Sequence, residues 1–152
     1  MRRLKTIIVL LSLCISISCD TDRDDIELSE AEARELNLIV QQGEWKISNY
    51  TLNSADITAN YVDYVFHFED ENSLLAISAA EEVAGTWRIN NDSGDEFDSY
   101  NDVDFQIFFS SAGKLGELTN NYDVISATRD EIRLNLGANT TGTTANLVLI
   151  KN

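Results

Sequence analysis

The sequence predicts a mainly β domain, an antiparallel eight-stranded up-and-down barrel carrying one N-terminal helix. Two observations predict it. Beyond Gly43, apolar residues recur at every second position in several separate stretches, and short polar turns join those stretches. Before Gly43 the apolar residues recur at helical spacing instead. A period of two puts one face of a strand on a core and the other in water, which is the habit of antiparallel sheets.

The helix is expected over residues 29–42. Ser29 is followed three residues later by Glu32, a capping box that satisfies two backbone donors at a helix start. Ala33, Leu36, Ile39 and Val40 then form one apolar stripe, and Gly43 supplies the stop. Such a stripe must be covered, so the helix is expected against one end or edge of the domain.

Four strands read clearly: 64–68 on Tyr64, Phe66 and Phe68; 83–90 on Val83, Gly85, Trp87 and Ile89; 103–110 on Val103, Phe105, Ile107 and Phe109; and 132–136 on Ile132, Leu134 and Leu136. Four weaker ones fit at 45–52, 74–79, 122–128 and 144–150, with a short helix over 111–121 on Leu115 and Leu118. Asp70-Glu71-Asn72, Asn91-Asp92-Ser93-Gly94 and Arg129-Asp130 are turn chemistry. Closing eight consecutive strands into a barrel removes exposed edges, which favours a barrel. An immunoglobulin-like sandwich is the alternative topology.

Ahead of the domain, Arg2, Arg3 and Lys5 precede an apolar run over residues 6–17, the grammar of a secretion signal. The run is shorter than the ~20 residues that a membrane-spanning helix needs. Ser16-Ile17-Ser18-Cys19 resembles the lipobox of bacterial lipoproteins, with Ser16 where Leu is usual. Leu13 is too bulky to precede a cut at Cys14. Cleavage before Cys19 leaves one cysteine, at the new N-terminus, where it suits lipidation and cannot staple a fold. Asp20, Asp22, Asp24 and Asp25 follow, an acidic run that reads as a solvated tether. The run also resembles the export signal of Bacteroidetes surface lipoproteins. That implies an outer-membrane, lipid-anchored protein on the cell surface, the periplasmic face being the alternative. The expected organisation is a signal over 1–18, a tether with lipidated Cys19 over 19–28, and the barrel over 29–152.

The precursor carries a net charge of −15, which becomes −18 once the signal with its three basic residues is removed. Such a charge repels phosphate backbones, so nucleic acid is excluded as a partner. Cations, basic proteins and neutral ligands remain. Gly43-Glu44-Trp45-Lys46-Ile47, Tyr64-Val65-Phe66-His67-Phe68 and Gly85-Thr86-Trp87-Arg88-Ile89 resemble the lipocalin-like small lipoproteins of the Bacteroidetes. Leu118 with Tyr122-Asp123-Val124-Ile125-Ser126, and the closing Leu147, Leu149 and Lys151, fit the same template. The resemblance spans nearly all of the mature chain and implies a fold and a location, with no chemistry attached.

Candidate sites are few. Trp45, Tyr64, Phe66, Trp87 and Phe105 either line a pocket for a small apolar ligand or fill the barrel, since eight strands are wide enough for one or the other. Asp92, Asp95, Glu96, Asp98, Asp102 and Asp104 form the densest oxygen cluster, and the first four would suit a weak Ca2+ site, although without the EF-hand spacing. A solvated acidic loop is the preferred reading of them, because acidic runs are usually solvated. His67 is the only histidine and alternates out of phase with the apolar face. No nucleophile elbow, phosphate loop or paired-cysteine motif occurs, and none specifies an organic cofactor. The expected function is a non-enzymatic envelope module that engages another envelope protein. A carrier of a small apolar ligand is the alternative, and a carboxylate hydrolase ranks last.

Overall fold

The computed structural model describes residues 21–91, 103–137 and 142–152. One helix, α1 (Thr21–Val40), precedes nine strands: β1 (Trp45–Leu52), β2 (Ala55–Asp56), β3 (Val65–Phe68), β4 (Ser73–Ile77), β5 (Glu82–Asn91), β6 (Val103–Phe108), β7 (Asn120–Ala127), β8 (Glu131–Leu136) and β9 (Ala145–Lys151). All pairings are antiparallel and join chain neighbours, except that β1 also pairs with β3 and β9 returns to pair with β1. With β2 set aside as a two-residue extension, eight strands close into an up-and-down, lipocalin-like barrel with an N-terminal helix. The sandwich alternative is thereby excluded.

The seam is the contact of β1 with β3, which share only the pair Trp45 and Phe66. The segment between them covers it. Asn53 and Ser54 both adopt left-handed backbone angles, φ 50° and 67°, and fold β2 back on β1 as a two-residue hairpin. The chain then turns through Thr58–Asn60, fixed by Ile57 N–H on the Tyr50 carbonyl (2.9 Å) and Tyr50 N–H on the Thr58 hydroxyl (2.8 Å). This places the rings of Tyr61 and Tyr64 in the core. At the β3–β4 reversal, Glu71 and Asn72 are also left-handed.

Strand ends shift by a residue or two, and both expected helices change more. Helix α1 starts at Thr21, so position 29 lies inside it and the Ser29–Glu32 pair does not begin it; residues 21–28, read as tether, are helical. A capping box marks a possible start, and acidic residues in first turns are favoured by the positive end of the helix dipole, so the upstream acidic run is compatible with helix. The helix expected over 111–121 contracts to a 3-10 turn, Lys114–Leu118, which still buries Leu115 and Leu118. Gly43 does act as a stop, at φ 111°, a conformation costly to any residue with a Cβ.

The core is continuous. It runs from Leu36 and Val40 of α1, through Phe68, Trp87 and Phe105, to Tyr50, Leu118 and Tyr122. Alternation along each strand sends one set of side chains inward, so β6 buries Phe105 and Ile107 while exposing Gln106 and Phe108.

Candidate functional site

The five aromatic residues expected to line or fill the barrel come together, and all are buried: Trp45, Tyr64, Phe66, Trp87 and Phe105. At mid-barrel, Trp87 packs edge-on against Phe68 at 5.6 Å, and Phe105 lies 5.4 Å from Phe68 and 6.1 Å from Trp87. These separations are those of rings in direct contact. Both indoles have acceptors, Trp87 Nε1–H on the Glu69 carbonyl (3.0 Å) and Trp45 Nε1–H on the Val40 carbonyl (2.8 Å). The polar edges of the largest side chains are therefore satisfied by backbone.

The two barrel ends are closed differently. One is sealed by a group of tyrosines around the Lys114–Leu118 turn. Tyr50 donates its hydroxyl to the Glu117 carbonyl (2.6 Å), and Tyr122 donates to the Leu118 carbonyl (3.0 Å), with the two phenol oxygens 3.4 Å apart. The Tyr61 oxygen sits 2.6 Å from the Lys114 carbonyl and 3.0 Å from a Glu117 carboxylate oxygen, and its single proton serves one of them at a time. Tyr64 donates to the Glu81 carboxylate, and Lys114 Nζ stands 4.6 Å from the Tyr64 ring centre. Burial pushes the phenols of Tyr50, Tyr61 and Tyr122 above their ordinary value; the carboxylate bonded to Tyr64 does the same there. The alternating pattern placed Tyr64 and Tyr122 on strands, but the turn that gathers the tyrosines is reached by Tyr50 and Tyr61 from more than 50 positions away.

The other end is covered by α1, which leaves grooves along its flanks. On one side Glu32, Glu35, Leu36 and Ile39 face Val103 of β6 and residues 124–127 of β7 across a cavity of about 470 Å3. The β7–β8 register slips between Val124 and Ser126, and the extra residue, Ile125, stands 64% exposed at the lip. On the other side a shallower space of about 600 Å3 lies among Glu30, Ala33, Arg34, Asn37 and Leu38, facing Ile89 and Asn91. There Arg34 pairs with Glu30 at 3.3 Å. A third recess, near Gly43 and Glu69, includes His67, whose Nε2 lies 3.8 Å from a Glu44 carboxylate oxygen. None of these three cavities is lined by the five expected aromatics.

Cys19 and the acids Asp92, Asp95, Glu96 and Asp98 lie outside the described residues. Asp104, which closes that acidic stretch, is buried on β6 opposite Asp123. Among the described residues no three His, Cys, Asp or Glu side chains converge as a metal site.

Compared with known proteins, the chain matches no family model and no curated protein.

Proposed function

We propose that this is a non-enzymatic accessory module of the bacterial cell envelope, tethered through lipidated Cys19, that works through its outer surface. One observation carries the choice of surface over interior. The centre is occupied by the Phe68, Trp87 and Phe105 rings, with the Tyr50 and Tyr122 hydroxyls bonded to the turn across one end and α1 laid over the other. An eight-stranded barrel either fills itself or holds one small ligand, and this packing favours filling. The charge of the chain, and the Ser16 to Cys19 segment with the acidic residues behind it, support an envelope protein facing outward that engages cationic partners.

The competing reading is a carrier holding a small apolar molecule among Trp45, Tyr64, Phe66, Trp87 and Phe105. It requires those rings to part. Native mass spectrometry on the protein purified from its host without denaturation separates the two. The expected spectrum is the polypeptide with its N-terminal lipid, plus at most calcium adducts at the 92–98 acids that a chelator removes. A further discrete organic mass, released only on unfolding, would overturn the surface reading in favour of the carrier.

A further inference from the structure

The groove between α1 and the bulged end of β7 has the anatomy of a small-ligand site. Its volume, about 470 Å3, falls within the range of ~300–1,000 Å3 that such pockets occupy. Its floor is apolar, built from Leu36 and Ile39 of the helix, Val103 of β6 and Val124 of β7, with Leu36 and Val103 buried. Its helical wall carries two carboxylates, Glu32 and Glu35, three residues apart and so on one face of α1. Among the described residues no cationic side chain lines it. The flank on the other side of α1 differs in that respect, because Arg34 neutralises Glu30 there.

The bulge strengthens the case. Bulges re-aim side chains at barrel rims, and this one turns Ile125 outward while Val124 stays paired with Leu134 and half-buried. A large apolar residue left in water beside an apolar floor extends the surface available to an aliphatic chain.

We propose that this groove binds an aliphatic ammonium ion, with its chain on Leu36, Ile39, Val103 and Val124 and its nitrogen beside Glu32 and Glu35. The carboxylates set the preference in charge, and the floor sets the preference for a chain of several methylenes. The site is separate from the barrel interior, so it stands whether the module acts through its surface or as a carrier.

The test is isothermal titration of the host-purified protein, in zwitterionic detergent with protein-free detergent as blank. The three probes, hexylammonium, 1-hexanol and hexanoate, share one chain and differ in charge. Saturable one-to-one binding is expected for hexylammonium, about five-fold weaker binding for hexanol, and weaker still for hexanoate, since exposed ion pairs add modestly to affinity. Glu32→Lys with Glu35→Lys alters only exposed positions and should reverse the order in favour of hexanoate. Val124→Trp should fill the groove and abolish binding of all three, with circular dichroism confirming that the barrel is retained. Absence of saturable binding, an order unmoved by the double charge reversal, or binding that survives Val124→Trp in a folded barrel would each overturn the proposal.

Discussion

The indole of Trp45 reaches back five residues to the carbonyl oxygen of Val40, Nε1 to O 2.8 Å, so the first strand hydrogen-bonds the end of the helix that precedes it. Both residues are fully buried. The bond fixes where the chain leaves α1 and where the barrel begins, with left-handed Gly43 making the turn between them.

Trp45→Phe keeps most of the ring and deletes the donor, leaving the Val40 carbonyl without it. The expected cost is about 1–3 kcal/mol, the penalty for a buried polar group that loses its partner. Urea unfolding should show a lower midpoint with an unchanged slope. Hydrogen exchange should show the largest loss of protection in the last turn of α1.

Phe105 touches both Trp87 and Phe68 and is fully buried. Phe105→Ala should cost about 3–5 kcal/mol, the range for deleting a large aromatic from a packed core. Thermal unfolding measures it. A loss below ~1 kcal/mol would mean that the centre is loosely packed and would count against a filled barrel.

Gly85 on β5 lies so close to β6 and the residue after it that an added Cβ would meet the Phe108 carbonyl oxygen at 2.5 Å and the Phe109 ring at 2.7 Å. The backbone atom cannot swing aside as a flexible side chain would. Gly85→Ala is therefore expected to destabilise by about 1–3 kcal/mol or to block folding. Gly137→Ala is the control: among the described residues nothing lies within 4 Å of a Cβ there, and the change should stay within about 0.5 kcal/mol.

Alkaline pH should weaken the end sealed by the tyrosines. Burial raises the phenol pKa of Tyr50, Tyr61 and Tyr122 in the folded protein, whereas the unfolded chain ionises near the ordinary value of 10.0. Above that pH the unfolded state has lost protons that the folded state keeps, so stability falls as pH rises. Below it both states are protonated and these groups contribute no pH dependence. The unfolding midpoint should decline as pH rises above 10.0. Tyr122→Phe should be less stable at pH 8, because Leu118 loses its donor, yet show a shallower alkaline decline.

Much of the barrel was legible in the chain because its signals are local. Phe105 and Ile107 point inward by strand periodicity alone, Leu36 and Val40 belong to the core by helical spacing, and Gly43 ends the helix region through its own backbone freedom. The Asn53-Ser54 hairpin also had a local signature, two residues tolerant of left-handed angles, but it is too short to carry a periodic pattern. The N-terminal segment, with its basic start, its apolar run and Cys19, is likewise a linear signal, and the expectation of a lipid anchor rests on it alone.

Other features depended on which distant segments meet. Tyr50 bonds a carbonyl 67 residues away, and Tyr61 bonds one 53 residues away; no spacing rule links such positions, because barrel closure brings them together. Filling versus hollowness was undecidable from a count of aromatics, since the same rings could line a cavity or meet across it. Their separations place Phe68, Trp87 and Phe105 in mutual contact, which no spacing rule foretells. The groove beside α1 exists only because a bulge at Ile125 and a helix 85 or more residues upstream face each other across one rim. Period and turn chemistry act between near neighbours, so the sequence by itself determined the strands, the helix and the inward faces. Packing acts between residues that closure makes adjacent, so only the tertiary structure decided which surfaces are sealed and which remain open.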